Sequence, residues 1–290
     1  MRLFDLHCDT LYEIYKKKES LEHNDCHISL DKAKELDEYI QVTAIWSEHR
    51  LAEDEVFNQY CAIVDYSKEQ SVTTGNFKNI LAIEGGEVIG DDIKRLDRFY
   101  KDGVRILTPV WKDENRLGGA FNTDKGLTEF GKEVALRCFE LGIILDVSHS
   151  SDALFYDLAS LAEKQGKPII ASHSCSRAVC DHKRNLTDEM AKEVKKLGGV
   201  VGINLVPEHL GGNSFKKAIE HMEHFASVIG WDSVCLGCDF DGTNLPEDIE
   251  NLSSMPYMYR MLCENIYDER IADGVFYLNA RNFFDRWNIL

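Results

Sequence analysis

Leu3-Phe4-Asp5-Leu6 runs straight into His7-Cys8-Asp9, so a short apolar strand pattern ends on two side chains able to bind a metal or move a proton. Seven further short apolar runs follow, at residues 40–46, 80–83, 104–110, 143–147, 168–171, 200–205 and 234–236. Four of these end at or beside a residue of the same kind: Glu84, His149, His173 and Asp239. Segments of helical period separate the runs. Val56, Tyr60, Ile63 and Val64 share one helical face, as do Phe130, Val134, Cys138 and Leu141. Ser150-Ser151-Asp152 and Thr187-Asp188 carry helix-capping chemistry. Gly103, Gly142, Gly198 and Gly199 stand where a left-handed helix end is expected before the next strand. Strand, helix, glycine, strand is the βαβ rhythm, and eight repeats of it predict an α/β fold of the (β/α)8 TIM-barrel type. In such a barrel the carboxyl ends of all strands meet on one face, so the scattered ligands become one site.

The 290 residues suit one such barrel, and residues 1–290 read as a single catalytic domain. No low-complexity stretch or linker interrupts them. The segment 16–34 is polar and reads as a loop or short excursion, the pattern is weak over 245–261, and a last helix is expected over 268–287. Apolar residues make up 44%, enough for a large core. With 33 basic and 50 acidic residues the formal charge is −17, which argues against nucleic acid or an anionic membrane as partner. The first residues have no apolar signal core, no stretch approaches a membrane span, and 279–290 is too short and polar for a lipid-anchor signal. With nine cysteines, an odd number, this predicts a reduced, soluble, cytoplasmic protein. Cys235-Leu236-Gly237-Cys238 has redox-motif spacing but no helix start after Cys235, so both cysteines read as ordinary strand residues.

Residues i and i+2 of a strand point the same way, so His7 and Asp9 can both face the barrel interior while Cys8 faces the helices. Glu84, directly after a buried strand, is costly to desolvate unless a cation or hydrogen bonds receive it. Its two oxygens can bridge metals roughly 3.5–4 Å apart, or meet amides freed by Gly85-Gly86. His149 and His173 close consecutive strands at equivalent positions. Together these five residues suffice for a binuclear centre that would form a hydroxide nucleophile near neutral pH, with Asp146 and Ser148 as candidates to orient the histidines. Asp239 or Asp241 could move the proton of the attacking water; the other would serve the Asp-Gly turn. Lys183-Arg184 by itself reads as surface, although a guanidinium matches a carboxylate with two parallel hydrogen bonds. His23, His27, His49, His209, His221 and His224 are all read as surface.

The motifs Asp5-Leu6-His7-Cys8-Asp9, Ile83-Glu84-Gly85-Gly86, Asp146-Val147-Ser148-His149, Ser172-His173-Ser174, Arg184-Asn185 and Gly237-Cys238-Asp239-Phe240-Asp241-Gly242, in this order and spacing, resemble the membrane (renal) dipeptidase family of zinc peptidases, among the amidohydrolase-like barrels. The resemblance runs from residue 4 to residue 284. It implies two zinc ions per chain, one held by His7, Asp9 and a bridging Glu84, the other by Glu84, His149 and His173. It implies Asp239 as the acid/base residue, Arg184 as the ligand of a dipeptide's free carboxylate, and Asn185 and Trp111 at the substrate. Trp111 stands where animal members carry a histidine that contacts the substrate carbonyl, and an indole donates a hydrogen bond but cannot become a cation as imidazole does. Members hydrolyse dipeptides, often with a D-residue at the carboxyl end, and are commonly homodimers. The expected function is therefore a zinc dipeptidase. The competing readings are a metallo-amidohydrolase for lactams, lactones or N-acyl amino acids, and a non-catalytic barrel that binds metal or peptide.

Overall fold

The computed structural model describes residues 1–46, 51–70 and 76–289. Eight strands form one all-parallel sheet: β1 Arg2–Cys8, β2 Glu38–Trp46, β3 Phe77–Glu84, β4 Val104–Thr108, β5 Ile144–Asp146, β6 Ile169–Ile170, β7 Val201–Ile203 and β8 Val234–Leu236. They follow the order β6-β5-β4-β3-β2-β1-β8-β7, and a parallel bridge between Ala171 and Val201 joins the two ends. Every apolar run of the sequence became a strand of this TIM-type barrel, with ends shifted by only a few residues.

Alternate residues fill the interior: Phe4 and Leu6, Ile40 and Val42, Ile80 and Ala82, with Ile106, Ile144, Ile170, Val200 and Cys235 from the later strands. The same cluster takes in Tyr277, Ala280, Phe283 and Phe284, so the C-terminal helix closes the end where the strands begin. Phe284 packs 4.8 Å from Phe4, and Arg2 lies over the Tyr277 ring. The opposite end is left open for chemistry.

The helices start as their caps dictate. Ser151 accepts from Leu154 N to open Asp152–Gln165, and Thr187 accepts from Met190 N to open Asp188–Lys196. Gly103, Gly142 and Gly198 are left-handed as expected, but Gly199 is not. Gly199 serves a close approach instead, since a Cβ there would overlap the carbonyl oxygen of Ile169. The weak stretch after residue 245 contains a helix, Met255–Ile266. The last helical segment runs Glu269–Asp273, a π turn at Gly274–Leu278, then Asn279–Arg286. Segment 16–34 begins inside the helix Thr10–Lys17 and is otherwise irregular. All nine cysteines are unpaired, and Cys235 and Cys238 are buried. No helix among the described residues is long and apolar enough to cross a membrane.

Three of the histidines expected at the surface are instead buried or partly buried and bonded. His221 lies on the inner face of the helix Phe215–Ile229, beside Ala218, Met222 and Phe225, and is fully buried. Its Nδ1 accepts from Ser176 N at 2.9 Å and its Nε2 donates to Leu210 O at 3.2 Å, so it is held as the neutral Nε2–H tautomer. His209 is pressed against Asn204, and His27 is joined to Asp241. His23 is exposed beside Asp31, His224 pairs with Asp188, and His49 lies outside the described residues. Burial lowers the pKa of His221 below its ordinary 6.5. The unfolded chain therefore binds a proton that the folded chain excludes, and this stabilisation is complete above about pH 6.5 and lost as pH falls below it. The stability gap between wild type and His221→Asn, from urea unfolding, should be smaller at pH 5.5 than at pH 7.5; a gap independent of pH would exclude His221 from the titration.

Candidate metal centre

β1 delivers its ligand through an irregularity. Asp5 pairs with Gln41 but Cys8 pairs with Thr43, so three steps along β1 oppose two along β2. Strict alternation from Phe4 and Leu6 would aim Cys8 inward. The extra residue reverses the phase: His7 reaches the barrel mouth, and Cys8 joins the layer between strands and helices, its thiol near the Thr43 hydroxyl. The expectation for His7 and Cys8 is met, but through a bulge rather than regular alternation. On β3 the phase is unbroken, and Glu84 continues the inner row of Ile80 and Ala82. Trp46 and Thr108 flank Glu84 in register.

At the mouth the side chains converge. Glu84 Oε1 lies 3.6 Å from His7 Nε2, 3.0 Å from His149 Nε2 and 3.4 Å from His173 Nε2. His7 Nε2 also lies 3.6 Å from Asp9 Oδ2 and 3.8 Å from Asp239 Oδ1, and the Nε2 atoms of His149 and His173 are 2.9 Å apart. His7, Glu84 and His173 form one compact group of potential ligands; His7, Asp9 and Asp239 form another. Asp239 thus stands within reach of both a ligand's and a proton carrier's position.

A network behind these residues sets the rings. Asp146 accepts from Thr108 Oγ1 and Ser172 Oγ, and from the backbone N–H groups of Ser148 and Ser172. Because the Ser172 hydroxyl proton goes to Asp146, the 2.7 Å contact to His173 requires His173 Nδ1–H to donate to Ser172. That leaves the Nε2 lone pair of His173 facing Glu84, the tautomer that ligates a metal. Ser148 Oγ accepts from His173 N. Asp146 and Ser148 therefore orient His173, with Ser172 and Thr108 as intermediaries, a role that no local pattern in the sequence gives them.

His149 and Asp239 have left-handed backbones, φ 68° and 63°, as does Asp241 at 66°. Such conformations cost on the order of 1–3 kcal/mol each and persist where the surrounding structure imposes them. Asp241 holds its turn: Oδ2 accepts from Thr10 Oγ1, Oδ1 from His27 N, and its own N–H donates to His27 Nδ1. At Gly242 a Cβ would overlap the carboxylates of Asp9 and Asp239, so any side chain there would displace both.

The electrostatics describe a site built for a cation. Burial would push the His7 imidazole down, but the carboxylates of Glu84, Asp9 and Asp239 override it and carry its pKa up to about 10. Burial, with Glu84 adding to it, lifts Asp9 to about 6. Burial lifts Asp239 to about 7, with His7 opposing and Asp9 and Glu84 assisting. Burial and then the nearby cationic groups Arg184 and His7 hold His149 well below the ordinary imidazole range, and burial, His7 and Arg184 do the same to His173. The neutral imidazoles of His149 and His173 and the crowded carboxylates are donors suited to a divalent metal, whose charge would relieve the crowding and take the place of the proton that these carboxylates hold on His7. His7 Nε2 and Asp9 Oδ1 are buried with no hydrogen-bond partner among the described residues, so they also fit a metal.

The remaining candidates divide. Trp111 lines a cavity of about 340 Å³ above Glu84, with Trp46, Tyr12, Glu13 and Lys16, none of which the sequence reading singled out. An aromatic residue ending the second run, at the level of Glu84, was the available signal. Arg184 is buried behind His173, donating to Ser174 Oγ at 2.9 Å and His173 O at 3.0 Å, with its Nε–H unpartnered among the described residues. Asn185 is buried too, and its amide donates to the carbonyls of Cys180 and His209, bracing the loop around Arg184.

The sequence profile of the membrane dipeptidase family (peptidase family M19) matches residues 56–285. A Klebsiella pneumoniae protein described as an uncharacterized protein in the pqqA 5' region is 31% identical over 218 residues, 68% of this chain and 77% of that protein. Dipeptidase 3 of Mus musculus is 31% identical over 217 residues, 71% of this chain and 43% of its own length, so the chain spans less than half of that relative. Among solved structures, a dipeptidase described as a metallo peptidase of family M19 superposes with a TM-score of 0.90 at 25% identity, covering 99% of this chain and 98% of that one. A metallo peptidase from Rhodobacter sphaeroides, liganded with a phosphinate mimic of the dipeptide L-Ala-D-Ala, gives 0.88 at 24% identity with 99% of each chain covered. With its barrel, its buried His and carboxylate cluster and a family match over most of its length, the chain belongs to the membrane dipeptidase family, peptidase family M19.

Proposed function

We propose that this protein hydrolyses dipeptides, including those ending in a D-residue, at a pair of zinc ions. The observation that carries this reading is the single carboxylate oxygen of Glu84 standing within 3.0–3.6 Å of three imidazole nitrogens. His7, Asp9 and Glu84 would hold one ion, and Glu84, His149 and His173 the other. Bound there, the ions would supply an activated water and polarise the scissile carbonyl. Asp239, partly exposed at the rim of the same cluster, takes the proton of the attacking water and passes it to the leaving amine. Arg184 receives the substrate's terminal carboxylate, and its unpartnered buried Nε–H supports that role.

The test is release of free amino acids from a panel of L-L and L-D dipeptides by chelator-stripped protein, before and after zinc is restored. The L-Ala-D-Ala mimic held by the Rhodobacter sphaeroides neighbour makes L-Ala-D-Ala the first substrate to try. Turnover that depends on zinc is expected. Silence across the panel with zinc bound would move the substrate to N-acylated or cyclic amides.

Arg184→Ala is expected to raise KM for dipeptides about 30-fold or more, the order lost when one partner of a buried charged pair is truncated. Arg184→Lys should recover only part of this, because an ammonium cannot reproduce the guanidinium fork. An unchanged KM in Arg184→Ala would remove Arg184 from the substrate site.

A further inference from the structure

The cavity above Glu84 has two unlike walls. One is acidic, formed by Asp9, Glu84, Asp239 and Asp241. The other is aromatic, formed by Tyr12, Trp46 and Trp111. Trp46 stands in the middle of the aromatic wall: its ring meets Tyr12 at 5.2 Å and 85°, and Trp111 at 5.0 Å and 73°. Trp111 continues to the His149 ring at 6.5 Å. Edge-on packing of this kind makes the wall a preformed surface that a ligand does not have to order, which favours binding. At its rim, Lys16 lies 5.0 Å from the Tyr12 ring centroid and 3.1 Å from Glu13, so the two rim charges offset each other.

The proposed role of Arg184 sets which end of a substrate meets this wall. Tyr12, Trp46 and Trp111 come from the helix after β1, the end of β2 and the loop after β4. Arg184 lies on the other side, bonded to His173 and Ser174 beyond β6. With the terminal carboxylate at Arg184 and the peptide bond over Glu84, the amino-terminal residue extends towards β1 and β2. On the reading that the substrate is a dipeptide, we infer that Tyr12, Trp46 and Trp111 form the specificity subsite for its amino-terminal side chain and select aromatic and large aliphatic residues. The volume of about 340 Å³ is at the small end of ligand pockets, which suits two residues, one of them bulky.

The experiment compares kcat/KM of the zinc-loaded protein for Phe-Ala, Leu-Ala, Gly-Ala, Asp-Ala and Lys-Ala, and repeats the Phe-Ala to Gly-Ala ratio in Trp46→Ala, Trp111→Ala and Trp46→Phe. Wild type should prefer Phe-Ala and Leu-Ala to the other three by about 10-fold or more, the discrimination a hydrophobic pocket gives. Either alanine variant should reduce the ratio towards one, and Trp46→Phe should restore most of it. A wild type that does not discriminate, or variants that slow both substrates equally and leave the ratio unchanged, would overturn the inference. Calorimetric titration with the same dipeptides separates it from the catalytic reading. If none is hydrolysed but Phe-Ala binds more tightly than Gly-Ala, the subsite stands and the dipeptidase reading falls; equal binding would overturn the subsite.

Discussion

Asp239→Asn is expected to lower kcat for dipeptides by about 10²–10⁴-fold, the range a positioned general acid–base contributes, while zinc content stays at the wild-type level. Asparagine keeps the shape of the side chain and can keep the left-handed backbone of residue 239, φ 63°. What it cannot do is carry a proton. Burial raises the Asp239 carboxyl to about 7, with His7 opposing and Asp9 and Glu84 adding to it, and bound metal charge would draw it back down towards the carboxylate that accepts the proton of the attacking water. Full activity in Asp239→Asn would move the proton role elsewhere. Asp241 would be a poor replacement, because its oxygens already accept from Thr10 and from the backbone of His27. Loss of zinc together with activity would instead make Asp239 a ligand, which its 3.8 Å approach to His7 Nε2 permits.

Glu84→Gln is expected to reduce bound zinc and to lower dipeptide turnover by more than about 100-fold, since changes even one layer outside a metal site cost 10–100-fold in metal affinity or activity. The glutamine keeps volume and one acceptor but removes the charge that lies between His7, His149 and His173. Every proposed ligand except Asp9 and Glu84 itself approaches this one oxygen, so the substitution should disturb both ions rather than one. Metal content after dialysis against a weak chelator, measured beside turnover, checks this. Wild-type zinc content and wild-type activity together would remove Glu84 from the centre.

Glu84 and His7 show how differently two residues of one site can be written in sequence. Glu84 was legible because it extends an unbroken inward row on a buried strand, and a carboxylate there needs a reason. His7 faces the barrel mouth as expected, but not by the regular alternation that predicts it, which the extra residue of β1 interrupts. Its inward aim depends on how β1 pairs with β2, residues 36 positions further along. His221 and His27 depart from the surface expectation for the same reason in reverse. Each looked unpartnered locally, and each found its partner far along the chain, at Ser176 and Asp241. His221 had a local signal in the apolar face around it; His27 had none.

The aromatic wall illustrates the limit most clearly. Tyr12, Trp46 and Trp111 come from three segments whose separation along the chain carries no trace of their contact, and only the register that sets Trp46 beside Glu84 brings them over the site. The amino-acid sequence by itself determined the eightfold alternation of strand and helix, and the residue types waiting at the strand ends, because periodicity and burial cost act locally. Tertiary structure alone decided which tautomer His173 adopts, that Glu84 offers one oxygen to three rings, and which side chains wall the cavity. Those outcomes depend on strand register and on hydrogen-bond partners brought together from distant segments, and neither is encoded in any single stretch of the chain.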